Sequence, residues 1–157
     1  MSEKKRVFVI PVFSYMHAKA STHRRGVIVN LKRMMPPELE YYEGLTGLFG
    51  GAVEPHDLSL RDAALRELRE ELALDLYPEP SELVEIENSD SHSIFAFRVS
   101  WEVFRDETIY RLAGRCCEGL FDVLIEEVAI ERSLWVHPTM RDACLKALQL
   151  DGEGKLP

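Results

Sequence analysis

Three features of this sequence predict a mixed α/β fold. Runs of β-branched and aromatic residues, typical of strands, recur along the chain, and the first covers Val7 to Tyr15. Apolar residues at three- and four-residue spacing, typical of helices, occur in residues 59–74 and again in 139–150. The 157 residues, 46% of them hydrophobic, have the size of one ordinary domain and can bury a substantial core. We therefore predict one α/β domain over residues 1–157.

In the first half of the chain, the predicted order is strand, strand, extended segment, helix. The strands are Val7 to Tyr15 and Gly26 to Leu31, each followed by polar or turn-forming sequence. After the Met34-Met35-Pro36-Pro37 break, Leu45 to Val53 is predicted to be extended. The helix is expected to begin at Ser59, a suitable N-cap with an acidic residue three positions later.

In the second half, three strands and one helix are predicted. A proline-containing loop at residues 78–81 follows the first helix. The strands are Leu83 to Glu87, Ser93 to Phe104 and Leu120 to Val128. The last helix covers Thr139 to Leu150, and its apolar stripe is made by Met140, Cys144, Leu145 and Leu148. By itself this pattern supports only a mixture of α and β.

Composition and charge restrict the class of protein. The formal charge of −8 argues against an extended nucleic-acid surface, although it does not exclude a small ligand that carries phosphate. No apolar stretch approaches a membrane span and the N-terminus lacks signal-peptide features, so we expect a cytoplasmic protein without membrane contact. Cys116, Cys117 and Cys144 have neither zinc-site spacing nor an even count, so reduced thiols are expected. A homodimer stays open.

The acidic run in the first predicted helix is the strongest chemical signal. Glu67 lies one helical turn from Glu70 and Glu71, so three carboxylates share one face with neighbouring Cβ atoms roughly 5–6 Å apart. Like charges at this spacing oppose helix formation, and a hard divalent ion such as Mg²⁺ would reverse the penalty. Gly50 and Gly51 offer bare backbone that can approach a metal ion or a phosphate. The alternative is an ordinary solvated face, but together these features predict a site for a metal ion and a diphosphate.

These residues resemble the Nudix hydrolase family, whose box reads G-x5-E-x7-R-E-U-x-E-E-x-G-U with U apolar. The resemblance covers Gly51 to Leu74. Arg66 to Leu74 matches each fixed position except the last glycine, which is Ala73 here. In the left half, Asp57 stands where glutamate is expected, and one extra residue lies in the loop, most simply within residues 54–58.

The resemblance implies an α/β/α sandwich with a mixed central sheet, and a hydrolase that cleaves a diphosphate linkage with Mg²⁺ or Mn²⁺. It implies that carboxylates and one backbone carbonyl hold the metal, at Glu67, Glu70, Glu71 and Gly50. It assigns catalytic roles to Glu67, Glu70 and Arg66, and the arginine orients the acidic side chains. The general base differs between members of the family, and the candidates are Glu67, Glu70, Glu118, Glu126 and Glu127.

The departures from the box lead to further expectations. Asp57 keeps the charge of the box glutamate with a shorter reach, and the extra loop residue can compensate by moving the backbone. Alternatively, Leu58 occupies the glutamate's place and points inward. Without a glycine at position 73, the helix is expected to run on through Leu74 or Asp75.

Candidates for substrate contact lie both inside and outside the box. Gly51 and Asp57 are the candidates from the box itself. Lys32 and Arg33 end a predicted strand shortly before the glycines and are well placed to meet phosphates, although basic residues there are often simply exposed.

The substrate class stays open beyond the diphosphate. Tyr41, Tyr42 and Phe49 are candidates for stacking on a base, with a place in the core or at its rim as the alternative. We predict a nucleoside diphosphate linked to another moiety, such as an ADP-ribose-like or sugar-nucleotide substrate. Alternatives are nucleoside triphosphates or 5′-triphosphate RNA, a catalytically weakened nucleotide-binding regulatory module, and an interaction protein with an acidic surface.

Overall fold

The described part of the chain forms a mixed sheet with helices packed on both faces. A computed structural model describes residues 4–17, 22–31, 44–72, 74, 76–99, 120–125 and 130–157. The helices are α1 Leu60–Glu71 and α2 Pro138–Gly152. This α/β/α arrangement confirms the predicted fold class. Outside the described residues lie Lys32, Arg33, Tyr41, Tyr42, Ala73, Asp75, Cys116, Cys117, Glu118, Glu126 and Glu127.

The sheet is built from β1 Arg6–His17, β2 Thr22–Leu31, β3 Thr46–Gly47, β4 Phe49–Ala52, β5 Val84–Asn88, β6 His92–Val99 and β7 Leu120–Ile125. Their order is β3-β2-β1-β6-β5, and in addition β4 pairs with β1 and β7 pairs with β2. The β1–β6 pair is parallel and the others are antiparallel. The strand predictions are confirmed at these positions, while the ends predicted at Phe104 and Val128 lie outside the described residues.

Strand β1 lies at the centre, and its alternating side chains build the core on both faces. Val7, Val9 and Phe13 pack in the hydrophobic cluster that contains α1. Ile10 and Val12 pack in the cluster that contains α2. This is the two-residue period of a strand that is buried on both sides.

Helix α1 begins as predicted and ends earlier than predicted. The Ser59 hydroxyl accepts a hydrogen bond from the Asp62 N–H at 3.1 Å and caps the helix. The expectation that the helix runs on to Leu74 or beyond is wrong, because α1 ends at Glu71 and Leu72 is already extended. Leu72 is fully buried in the core cluster that contains α1. The buried stripe of the helix is formed by Ala63, Ala64, Leu65 and Leu68.

Helix α2 covers the opposite face of the sheet. It begins with a cap in which His137 Nδ1 accepts a hydrogen bond from the Thr139 N–H at 3.1 Å. The predicted apolar stripe is buried or partly buried, at Met140, Cys144, Leu145 and Leu148. Burial raises the pKa of the Cys144 thiol, as expected for an unreactive cysteine. Among the described helices, none is both long and apolar enough to cross a membrane.

Candidate active site

Strand β4 carries the two glycines of the box beneath the acidic end of α1. In its pairing with β1, Gly50 lies opposite Phe8 and Gly51 opposite Val7. A Cβ at Gly50, where φ is 156°, would collide with the Val7 carbonyl oxygen. A Cβ at Gly51 would lie 2.5 Å from Oε1 of Glu67. Glycine at these positions therefore allows the two strands and the helix to approach closely.

Arg66 is the centre of the site. Its Nε and Nη2 donate to the two carboxylate oxygens of Asp57 at 2.9 and 3.0 Å, and Nη2 also donates to the Ala52 carbonyl at 3.0 Å. Its Nη1 donates to Oε1 of Glu67 at 3.0 Å and to Oε1 of Glu70 at 3.3 Å. Every N–H of the guanidinium therefore has an acceptor. The hydrogen bonds to Asp57 hold the pKa of Arg66 above its ordinary value, so its charge is permanent.

Asp57, the candidate to replace the box glutamate, is paired with Arg66. Its carboxylate is 3% exposed and also accepts a hydrogen bond from the Glu54 N–H at 2.8 Å. The Asp57 N–H donates to the Glu54 carbonyl at 3.0 Å, which closes the loop and brings the short side chain within reach of Arg66. Hydrogen bonding from Arg66 lowers the pKa of Asp57 to about 2. The alternative in which Leu58 points inward is wrong, because Leu58 is 93% exposed.

The three predicted metal ligands on α1 have different partners. Glu67 is 12% exposed, and its burial raises the pKa of the carboxylate. Glu70 is more than half exposed. One oxygen of Glu71 accepts a hydrogen bond from the Gly50 N–H at 3.0 Å. Within the described residues, no three histidine, cysteine or acidic groups are arranged so that they could hold a metal ion.

The donor chemistry of the acidic face fits a hard divalent cation. Mg²⁺ and Mn²⁺ prefer oxygen ligands, and the face presents the carboxylates of Glu67, Glu70 and Glu71 beside the Gly50 backbone. The single positive charge of Arg66 cannot neutralise all of them, so negative charge remains. The exposed Glu70 side chain can change its rotamer without disturbing the core. The assignment of the metal ligands stays a prediction.

A cavity of about 660 Å³ lies on the α2 side of the sheet, beside the first turn of α2. Its apolar walls are Phe8, Ile94 and Met140. Its polar lining consists of Lys4, Arg6, Asp90, Ser91, His92, His137 and Thr139. Lys4 connects the cavity with the box loop, because its Nζ donates to Oε2 of Glu54 at 3.2 Å. This cavity was not predicted from the sequence. Strand alternation, which puts Arg6 and Phe8 on one face of β1, is the signal that could have indicated two of its lining residues.

Of the other predicted site residues, Phe49 lies in the described part of the chain, and several others lie outside it. Phe49 is fully buried in the core cluster that contains α1, so its alternative place in the core is the correct one. Lys32 and Arg33 stay predictions as phosphate contacts because they lie outside the described residues. The same holds for three base candidates, Glu118, Glu126 and Glu127.

Comparisons with known proteins agree with this geometry. Residues 22–139 match the family model of the NUDIX domain. A mutT/nudix family protein from Listeria innocua has a similar structure, with a TM-score of 0.71 and 18% identity over 98% of this chain and 97% of that one. At this level of identity the likeness concerns the fold. No curated protein matches the chain.

Two further structures are more distant in shape. A MutT/nudix family protein from Enterococcus faecalis has a TM-score of 0.40 and 18% identity over 64% of this chain and 38% of that one. Possible asymmetric diadenosine tetraphosphate hydrolases from Jonesia denitrificans have a TM-score of 0.45 and 19% identity over 99% of both chains. Both TM-scores are well below that of the Listeria innocua protein.

Proposed function

The chain belongs to the NUDIX domain family, and we propose that it is a metal-dependent hydrolase of a diphosphate linkage in a nucleoside diphosphate derivative. Members of the family are generally pyrophosphohydrolases that act on small nucleotides. The substrate we propose is an ADP-ribose-like or sugar-nucleotide compound. Water attacks one phosphorus of the linkage, the bridging P–O bond breaks, and two phosphomonoesters leave.

The observation that carries the proposal is the saturated guanidinium of Arg66. Because each of its N–H groups has an acceptor, the guanidinium cannot turn without breaking hydrogen bonds. It therefore holds Glu67 in a fixed direction beside Gly51, and it also donates to the more exposed Glu70. Such preorganisation of charged groups is what phosphoryl transfer requires from a protein.

The chain's own residues have distinct roles in this proposal. Glu67, Glu70 and Glu71 would hold a divalent ion with the Gly50 backbone, and Arg66 orients the first two. When bound, such an ion supplies charge neutralisation at the phosphate oxygens and a lower pKa for water. Gly51 leaves room for the Glu67 carboxylate to lie against β4. Among the described candidates, Glu67 and Glu70 are the groups that can accept the proton of the attacking water.

The cavity beside α2 supports a nucleoside as one half of the substrate. Its apolar walls, Phe8 and Ile94 among them, suit the face of a base, and its polar rim suits a ribose. Lys4 lines the cavity and its Nζ donates to Glu54 of the box loop, so the cavity borders that loop. A nucleoside bound there would direct its phosphates towards Lys4 and the box.

A panel of substrates tests the proposed reaction. ADP-ribose, a sugar nucleotide, ATP and 5′-triphosphate RNA are incubated with Mg²⁺ or Mn²⁺, and the products are identified by mass. We expect a nucleoside monophosphate and a sugar phosphate from one of the first two. If only ATP or 5′-triphosphate RNA is cleaved, the substrates are triphosphates and not nucleoside diphosphate derivatives. If calorimetry detects nucleotide binding but no substrate is cleaved, the protein is a nucleotide-binding module and the proposal of an enzyme fails.

The melting temperature tests the metal ligands independently of turnover. Mg²⁺ or Mn²⁺ should raise it, because an ion that binds the folded state stabilises that state by mass action and relieves the repulsion on α1. The shift should shrink in the double variant Glu70→Gln/Glu71→Gln. Asp142→Asn on α2 is the control, because that carboxylate is exposed and belongs to the helix on the opposite face of the sheet. An equal shift in the double variant and in wild type would contradict the site.

A further inference from the structure

The C-terminal end of α1 lacks the residue that closes the family's box. A glycine there ends a helix by adopting a left-handed conformation, whereas this chain has Ala73. The helix ends at Glu71, and Leu72 is extended, with φ −129° and ψ 116°. The Leu72 N–H still donates to the Leu68 carbonyl at 2.7 Å. Backbone groups beyond this point need partners from elsewhere, because a helix leaves its terminal groups unsatisfied.

Tyr77 supplies those partners with a single hydroxyl group. It donates to the Leu72 carbonyl at 2.5 Å and accepts from the Leu74 N–H at 3.1 Å. The hydroxyl thus ties together the backbone on both sides of position 73. The ring is held in turn by Arg69, whose guanidinium carbon lies 5.5 Å from the ring centroid, and by the core cluster that contains α1.

This closure lies directly beside the acidic face. Glu71 is the last helical residue, and its carboxylate accepts the hydrogen bond from the Gly50 N–H. The N-terminal part of the face is anchored by the pair of Asp57 and Arg66. The C-terminal part is anchored by the Tyr77 hydroxyl. If the last turn of α1 unwinds, Glu71 is the first acidic side chain to move.

We propose that Tyr77 is a positioning residue for the acidic face, and that its hydroxyl replaces the box glycine in holding Glu71 against Gly50. The consequence for catalysis rests on the proposed function, because it requires that α1 bind a metal ion. Tyr77 touches neither the diphosphate nor the ion in this proposal. It acts through the backbone at the end of the helix.

Amide hydrogen exchange tests the first part of this proposal without metal or substrate. Tyr77→Phe removes the hydroxyl and keeps the ring that packs on Arg69. The Gly50 N–H should then exchange about tenfold faster, because its hydrogen bond to Glu71 opens more often. The Val9 N–H lies in the buried centre of β1, so its exchange rate reports global unfolding. That rate should rise much less than the exchange rate of the Gly50 N–H.

Metal titration tests the second part. In Tyr77→Phe, the Mn²⁺ concentration at half-saturation in calorimetry should rise about tenfold, as for other groups that orient metal ligands. Turnover should recover at saturating metal, and KM for the nucleotide should stay nearly constant. Leu148→Val is the matched control, because it reduces packing in the cluster that contains α2 without touching α1.

The outcomes separate this proposal from the proposed function. If Tyr77→Phe lowers the melting temperature as Leu148→Val does, while Gly50 exchange and metal affinity stay at wild-type values, Tyr77 is merely structural and the proposal is overturned. If the wild type binds no metal and cleaves no diphosphate, the proposed function fails. The Gly50 exchange rate then still decides whether Tyr77 holds Glu71.

Discussion

Arginines meet carboxylates on both faces of the sheet, with opposite proportions. On the α1 side, one arginine, Arg66, donates to the carboxylates of Asp57, Glu67 and Glu70. On the α2 side, two arginines hold a single carboxylate, that of Asp151. Its Oδ2 accepts from Arg25 Nε at 3.1 Å, and its Oδ1 accepts from Arg98 Nε and Nη2 at 3.0 and 2.6 Å.

The difference in proportion distinguishes the proposed active site from a structural clamp. The Asp151 side chain is 1% exposed, and two cations more than balance its charge. Asp151 connects α2 with β2 and β6, and the two arginines neutralise its charge. Around Arg66 the negative charge exceeds the positive charge, which is the imbalance that the proposed metal ion would neutralise. Excess charge held in a fixed geometry is costly for stability and useful for binding.

The largest expected effect is the loss of turnover in Arg66→Ala. Without the guanidinium, Glu67 and Glu70 lose their common donor, and kcat should fall about 100-fold, or about 2.7 kcal/mol. Arg61→Ala is the control on the same helix, since Arg61 donates to the Leu83 carbonyl on the other side of α1. Steady-state kinetics at saturating metal measure both variants. Similar kcat values for Arg66→Ala and Arg61→Ala would contradict the contrast between the Arg66 cluster and the Asp151 cluster.

Asp151→Asn should affect stability and leave turnover nearly unchanged. The amide loses charge-assisted hydrogen bonds to Arg25 and Arg98, and the free energy of unfolding should fall by about 2 kcal/mol. Asp142→Asn is the matched control, because this carboxylate of the same helix is 66% exposed. Chemical denaturation measures the loss. A clamp role for Asp151 is refuted if both variants unfold at the same denaturant concentration.

A smaller effect is expected for Asp57→Asn. The change removes the charge that pairs with Arg66 but keeps one acceptor oxygen, so turnover should fall about tenfold, or about 1.4 kcal/mol. Asp57→Glu should be milder, because it preserves the carboxylate. Leu58→Glu in the Asp57→Asn background should not restore activity, since position 58 points to solvent. A silent Asp57→Asn would mean that the loop no longer serves the site.

The smallest effect is a difference in acid stability between wild type and Asp57→Asn. The pKa of Asp57 is lowered from 3.8 in the unfolded chain to about 2 in the folded protein. A lowered pKa contributes stability above the unfolded value, and this contribution disappears as pH falls through the folded value. The gap between the two melting temperatures should therefore be constant above about pH 5 and narrow towards pH 2. A gap that widens on acidification would contradict the ion pair.

The order of elements and the site's central residues were predictable from local patterns. A run of β-branched and aromatic residues predicted β1, and the Ser59 cap predicted the start of α1, because both depend on neighbours within a few positions. The run from Arg66 to Glu71 predicted a shared acidic face for the same reason. The side-chain period of a helix or strand is a property of the backbone and needs no tertiary contact.

Other features depended on the packed structure. The end of α1 was predicted too late because the contacts beyond it, among them the hydrogen bond from the Tyr77 hydroxyl to the Leu72 carbonyl, join residues that helical periodicity does not relate. The inward position for Leu58 was wrong because the closure of the loop by Asp57 became evident only in three dimensions. The cavity beside α2 and the contact of Arg25 with Asp151 join residues far apart in sequence. Periodicity determines which face a side chain occupies, whereas only the packing of the layers determines which distant group it meets.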